Sequence, residues 1–208
     1  MHGSPPARSD SDAWDARYSE DAQIWSGNPN VALVDEVKTM VPGRALDVGC
    51  GEGADAIWLA QRGWEVTALD PSGVALARAR RAAAIAGAAV GWLQGGLADV
   101  ELAVGGFDLV SVFYPALLKS AASGPERKLQ GLVAPGGTLL FVHHARIDRE
   151  HALARGFDPD DYLSPEDMRA ALGDDWAVVT NESRPREVAG GAGAHHHEDL
   201  VLRARKRS

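Results

Sequence analysis

The sequence predicts an α/β protein, a doubly wound, mostly parallel seven-stranded sheet with helices on both faces and an antiparallel C-terminal hairpin. Three observations predict it. From residue 45 onward, short apolar runs alternate with stretches of helical periodicity, the pattern of strand–helix–strand units. The first apolar run, Ala45-Leu46-Asp47-Val48, ends in a cluster of glycines. The last two strand-like segments, 176–180 and 200–204, follow one another with no helix between them, so they pair antiparallel.

Each element has its own signal. Residues 1–12 are rich in Pro, Ser and Asp, lack the apolar core of a signal peptide, and read as a disordered lead. Residues 13–208 read as one domain that opens with lid helices over 13–43. Val31, Leu33, Val34 and Val37 recur at helical spacing and stop at Pro42-Gly43. A helix over 54–61 closes at Gly63, and a second strand, 64–70, ends at Asp70. Ser72 caps an Ala/Arg-rich helix that runs to Gly87. Strands are expected at 90–93 and 107–113, and a helix between Pro125 and Val133. The nearly all-apolar strand 138–142 follows the turn Pro135-Gly136-Gly137 and is expected to be central. Ser164-Pro165-Glu166-Asp167 opens a last helix, with a serine cap, proline in the first turn and acids at the positive end of the dipole.

Composition excludes several functions. In 208 residues, 45% are hydrophobic and the formal net charge is −8. So acidic a surface repels a phosphate backbone, which argues against nucleic acid as a partner. A single cysteine, Cys50, rules out an internal disulfide framework and suits a reducing, cytoplasmic setting. Apolar stretches break well before the thickness of a bilayer, so no membrane partner is expected. Nothing in the chain sets the oligomeric state.

The chemistry concentrates in Asp47-Val48-Gly49-Cys50-Gly51-Glu52-Gly53, between the first strand and the first helix of the sheet. Glycines there let the backbone turn sharply and approach a ligand at the switch point of the sheet. Asp70 closes the second strand 21 residues after Gly49, a spacing suited to holding ribose hydroxyls. Gly49-x-Gly51-x-x-Ala54 matches the loose dinucleotide fingerprint, which leaves an NAD(P)-dependent oxidoreductase as one reading. Three features favour S-adenosylmethionine. Asp47 is a charge at the end of a buried strand, able to orient a cationic amino-acid moiety. Glu52 opposes a pyrophosphate and tolerates a sulfonium. The closing hairpin is foreign to the dinucleotide fold.

With Phe107-Asp108-Leu109-Val110 and Ala134-Pro135-Gly136-Gly137 added to that loop and Asp70, residues 14–206 resemble the class I, Rossmann-like S-adenosylmethionine-dependent methyltransferases. The aromatic lead 14–30 and the compact size look similar to the tellurite-resistance and thiopurine methyltransferase-like small-molecule enzymes. The resemblance implies a methyl transfer that leaves S-adenosylhomocysteine. It implies that Gly49, Cys50, Gly51 and Gly53 line the methionine part of the donor, that Asp70 binds the ribose diol, and that Phe113 sits beside the methionine moiety. Where the family offers an acid to the adenine amine, this chain has Gln94-Gly95-Gly96-Leu97. Leu97 is expected to cover the ring, and Asp99 is the nearest substitute acid. The resemblance also implies a covering role for the N-terminal aromatics, with Trp25 against the donor and Trp14 and Tyr18 on the acceptor side.

The acceptor is expected to be a small molecule offering S, N or O. A hydroxyl acceptor gains from a general base, whereas a thiolate arrives ionised. His143 and His144 follow the fifth strand at the donor's end of the sheet, and strand alternation lets one of them face the cleft. Tyr114, directly after Phe113, is a rival pocket residue. His195-His196-His197 invites a metal reading, but consecutive histidines on a strand diverge, so a loop near the cleft is the better one and no metal is expected. A second class of function stays open at this level: a donor-binding protein that has lost turnover.

Overall fold

The computed structural model describes residues 11–119, 124–146, 149–154, 158–186 and 196–208. Fourteen helices and strands follow in chain order: α1 (Ser11–Ser19), α2 (Val31–Val37), β1 (Arg44–Val48), α3 (Ala54–Ala60), β2 (Glu65–Asp70), α4 (Gly73–Ala86), β3 (Val90–Gln94), β4 (Phe107–Phe113), α5 (Pro125–Leu132), β5 (Val133–His144), α6 (Arg149–Ala154), α7 (Pro165–Ala170), β6 (Trp176–Pro185) and β7 (Glu198–Lys206). The expected disorder of the lead concerns mostly residues 1–10, which lie outside the described residues, and α1 begins at Ser11.

The seven strands form one sheet in the order β3-β2-β1-β4-β5-β7-β6. β3, β2, β1, β4 and β5 pair in parallel, whereas β7 runs antiparallel to both β5 and β6. The order reverses between β1 and β4, which makes the carboxyl ends of those strands the switch point.

Strand alternation divides the core in two. Leu46, Val48, Val110, Val112, Leu139 and Phe141 face one side, where Leu129 and Leu132 of α5 and Met168 of α7 cover them. Ala45, Leu109, Leu140 and Val142 face the other, under Leu33 and Val37 of α2 and Ala56 and Leu59 of α3. The same alternation places Asp47 and His144 on the α2/α3 side and His143 on the other. The predicted caps form: Ser72 Oγ accepts from the Ala75 amide, Gly87 ends α4 in the left-handed region, and Ser164 and Asp167 close a reciprocal capping box on α7.

Three boundaries differ from the sequence reading. β5 begins at Val133, before the expected start at residue 138, because the backbone pairs Phe107 with Val133, loops out through 134–137, and re-enters register at Leu109 and Thr138. Gly136 supplies a φ of +77°, and a Cβ on Gly137 would lie 3.0 Å from the Phe107 carbonyl, so the excursion needs both glycines. β6 and β7 outrun the expected 176–180 and 200–204. The added part of β6, Asn181 to Arg184, lies on an edge strand with polar side chains, so an apolar pattern ends before the hydrogen bonding does. α6 adds a helix between β5 and α7, where the sequence carries no clear helical signal. No helix among the described residues is long and apolar enough to cross a membrane.

Candidate functional site

A cavity of about 1250 Å³ opens at the switch point. It exceeds the roughly 300–1,000 Å³ of a pocket for one small ligand. Trp14, Tyr18, Trp25, Asp47, Gly49, Cys50, Gly51, Gly53, Asp70, Leu97, Phe113, Tyr114 and His144 all line it. Of the residues singled out from the sequence, His143 is absent from the lining.

The glycine loop is pinned beneath the strand ends. The amides of Gly49 and Cys50 donate to the Leu69 carbonyl, and Gly51 N–H donates to Asp70 Oδ2 at 2.8 Å. Gly49, Gly51 and Gly53 all have positive φ. Their surroundings differ. A Cβ at Gly49 would meet nothing within 4 Å, one at Gly51 would lie 2.8 Å from Tyr18 Oη, and one at Gly53 would strike Ala79 and Trp92 at 2.8 Å. Gly49 therefore leaves the cavity open, Gly51 admits the aromatic cover, and Gly53 lets α3 pack against α4 and β3.

Three buried acids surround the loop. Asp47 Oδ1 accepts from Ser111 Oγ at 3.4 Å, while Asp47 Oδ2 has no hydrogen-bond partner among the described residues. Burial, reinforced by Asp55, pushes its carboxyl well above the usual range. Asp55 receives both the backbone amide and the side-chain amide of Asn30, each at 2.7 Å. Asp70 receives Gly51 and Ser72 amides. Burial raises both carboxyls to about 6. Burial likewise pushes the Cys50 thiol up, so it stays protonated and unreactive.

Glu52 also lines the cavity. Its carboxylate accepts from the Ile24 and Trp25 amides and pairs with Arg78 Nη1 at 2.8 Å, because a buried acid in the loop needs partners and the N-terminal segment supplies them. Arg78 also donates to the carbonyls of Tyr18 and Asp21. Asp15 of α1 accepts from Ser72 Oγ and the Val74 amide. Residues 15–25 are thereby tied over the loop, with Trp25 Nε1 donating to Tyr18 Oη at 2.9 Å. Asp99 does not replace the missing acid at the end of β3. Its carboxylate accepts from the Gly96 amide and closes the turn, while Leu97 reaches the cavity.

At the other end of the cavity the two histidines separate. His143 is buried on the α5/α7 face, its Nδ1 accepts the His144 amide, and burial lowers it to about 4, so it is neutral. His144 faces the cavity. Its ring stacks on Tyr114 at 4.4 Å and on His196 at 3.7 Å, and its Nδ1 lies 3.4 Å from Asp199 Oδ1. Asp199 Oδ2 accepts from Tyr114 Oη at 2.6 Å, and Arg186 Nε donates to the same phenol oxygen at 3.0 Å. Asp199, Arg186, Asn30 and Asp55 were missed in the sequence. Asp199 carried a signal, being an acid heading the apolar run Leu200-Val201-Leu202 much as Asp47 heads the glycines. Among the described residues no cluster of metal-ligand side chains forms, and His195 lies outside them.

Comparison with known proteins follows this geometry. Residues 45–137 match the family model described as a methyltransferase domain. The chain is similar to an uncharacterized methyltransferase of Mycobacterium tuberculosis strain H37Rv, Rv0089, with 37% identity over 125 residues, 58% of this chain and 60% of that protein. It therefore spans about 60% of the length of that relative. It is also similar to the malonyl-[acyl-carrier protein] O-methyltransferase of Enterobacter lignolyticus, 36% identical over 99 residues, 48% of this chain and 38% of that protein. Among solved structures, one described for the conversion of a disulfide into a thioacetal during echinomycin biosynthesis superposes with a TM-score of 0.73 at 22% identity, over 95% of this chain and 92% of that one. TehB of Haemophilus influenzae superposes with a TM-score of 0.63 at 16% identity, over 95% of this chain and 67% of its own.

Proposed function

We propose that the chain, whose residues 45–137 match a methyltransferase domain, is a class I S-adenosylmethionine-dependent methyltransferase that transfers a methyl group to a small-molecule S, N or O acceptor in the cytoplasm. The observation that carries the reading is Asp47 Oδ2, a buried carboxylate oxygen without a partner in a residue that lines the cavity. Such an atom is costly unless a donor arrives to meet it, and a ligand bearing an ammonium and a sulfonium brings the charge it lacks.

The residues present fit the donor. Gly49 leaves room for its methionine part, and Asp70 keeps lone pairs for a diol beyond those used by Gly51 and Ser72. Leu97 and Phe113 offer apolar cover, and Trp25 and Tyr18 close over Gly51. When bound, the donor supplies a methyl carbon already activated by its sulfonium. The protein's part is to align the acceptor and exclude water. The small-molecule class finds support in the concave cavity and in the similarity to the echinomycin-biosynthesis protein.

Calorimetry with S-adenosylhomocysteine tests this. The full chain is expected to bind it, and Asp70→Ala to lose about 1–3 kcal/mol of affinity through the lost bonds to a charged group. Unchanged binding in that variant would place the site elsewhere.

A further inference from the structure

We propose that His144 is a general base for a hydroxyl acceptor and that Asp199 is its positioning residue, so that the reaction at this site is O-methylation. The inference rests on the donor reading above and narrows its acceptor.

The imidazole of His144 is held from three directions. Tyr114 stacks on it at 4.4 Å with 23° between the planes, and His196 at 3.7 Å with 13°. Asp199 stands at the ring edge, its Oδ1 3.4 Å from Nδ1. With the ring proton on Nδ1 facing that carboxylate, Nε2 carries the lone pair, the tautomer a base requires. Tyr114 reaches this place through backbone strain: among the described residues it is the non-glycine residue with positive φ, +47°. Strain of this kind collects where function fixes a side chain. Here it turns the phenol across from β4 to Asp199 on β7, 2.6 Å away.

The charges around His144 suit a proton acceptor. Directly after β4, the Tyr114 phenol is pushed up by burial and stays neutral as it donates to Asp199. On β5, His143 is neutral. Ahead of β7, His196 covers the ring, and after β6, Arg186 lies 3.5 Å from Asp199 and balances its charge. A proton arriving on His144 thus meets a carboxylate at its opposite nitrogen. Arg186 also favours an oxygen nucleophile, which becomes anionic as its proton leaves, over an ammonium that arrives as a second cation. A thiol ionises without such help.

In the step itself, the acceptor oxygen bonds to the methyl carbon while its O–H proton passes to His144 Nε2. The electron pair of the breaking carbon–sulfur bond stays on sulfur and cancels the sulfonium charge, and the imidazolium then releases its proton to water. Atoms and charge balance with no further reactant.

The test uses the full chain, nitrogen-15 NMR of its histidines, and a panel of phenols, thiophenols and benzylamines. In the wild type, His144 should carry its proton on Nδ1, and Asp199→Asn should shift that tautomer. His144→Gln should lower kcat on phenols by about 10²–10⁴-fold, leaving KM and S-adenosylhomocysteine affinity in place, with losses under about tenfold on thiophenols. Wild-type kcat on phenols should fall as pH is lowered through the imidazole range, because protonation removes the base, and His144→Gln should lose that limb. A proton on Nε2 in the wild type overturns the base, whatever the panel yields. Intact donor-product binding with equal small losses on all three acceptor series does so too, as does turnover of thiophenols or benzylamines alone. Failure to bind S-adenosylhomocysteine would instead overturn the underlying donor reading.

Discussion

Asp47 sits opposite Ser111 in the β1–β4 ladder, buried to 2% exposure, with one oxygen bonded and the other bare. In the ligand-free chain ionising that raised carboxyl costs stability, and with a cationic ligand the carboxylate contributes affinity. Asp47→Asn should therefore raise the thermal midpoint while weakening S-adenosylmethionine binding by about 1–3 kcal/mol, read by a melting scan and calorimetry on the same protein. A variant that loses both would make the carboxylate structural. Asp55 and Asp70 add a pH dependence whose sign follows from burial. Their carboxyls stand at about 6 in the fold and near 3.8 when unfolded. Between those values the folded chain holds more protons than the unfolded one. The contribution of these groups is thus present at low pH and lost as pH rises through about 6. Urea midpoints from pH 4.5 to 7.5 should show it, and Asp55→Asn should flatten the slope relative to wild type. Neither effect was legible in the sequence beyond the identity of Asp47 and Asp70, because partnering and burial depend on Asn30, Ser111 and Ser72, whose distances from the loop the sequence does not reveal.

Arg78 shows how elements cooperate at this site. One guanidinium on α4 joins Glu52 of the glycine loop to the carbonyls of Tyr18 and Asp21, so the N-terminal segment and the loop share a fastening. Arg78→Ala should loosen residues 18–25, raise their hydrogen exchange, and weaken S-adenosylhomocysteine about tenfold. The unfolding free energy should fall by about 1–3 kcal/mol, since Arg78 and Glu52 are mostly buried and the substitution leaves a carboxylate and two carbonyls short of a donor. Unchanged exchange over 18–25 would show that packing of Tyr18 and Ile24 alone holds the segment. At this scale the sequence was most informative. Ser72, Gly87 and Ser164 end helices by local chemistry, so the sequence marks them directly. The β5 excursion and the polar length of β6 were hidden, because each depends on a partner strand remote in sequence.

Glu36 joins the halves of the molecule. From α2 it pairs with Arg184 of β6 and with Arg203 of β7, and it accepts from Thr180 Oγ1. Glu36→Ala should cost about 1–3 kcal/mol, because Arg184 and Arg203 lose a buried carboxylate while Arg184 keeps Glu182 and Arg203 keeps the backbone carbonyl of residue 36; urea unfolding measures it, and a loss under about 0.5 kcal/mol would make the cluster energetically neutral. The glycine-loop end of the cavity was legible because it lies in one segment, 47–53, with Asp70 close behind. At the other end Tyr114 and His144 were legible but Arg186 and Asp199 were not, since the four meet only when the sheet is assembled. The strand order carries a consequence for synthesis. β7 lies between β5 and β6, yet it is made after both. As the chain leaves the ribosome, β6 waits without a neighbour in the sheet, and β5 keeps one bare edge until residues 198–206 emerge. The glycine loop and Asp70 are by then long exposed to solution, so a nascent chain has its donor half in place while Asp199 is still untranslated. Under the proposed function, the end of the cavity that holds Tyr114, His144 and Asp199 is thereby withheld until the sheet is closed.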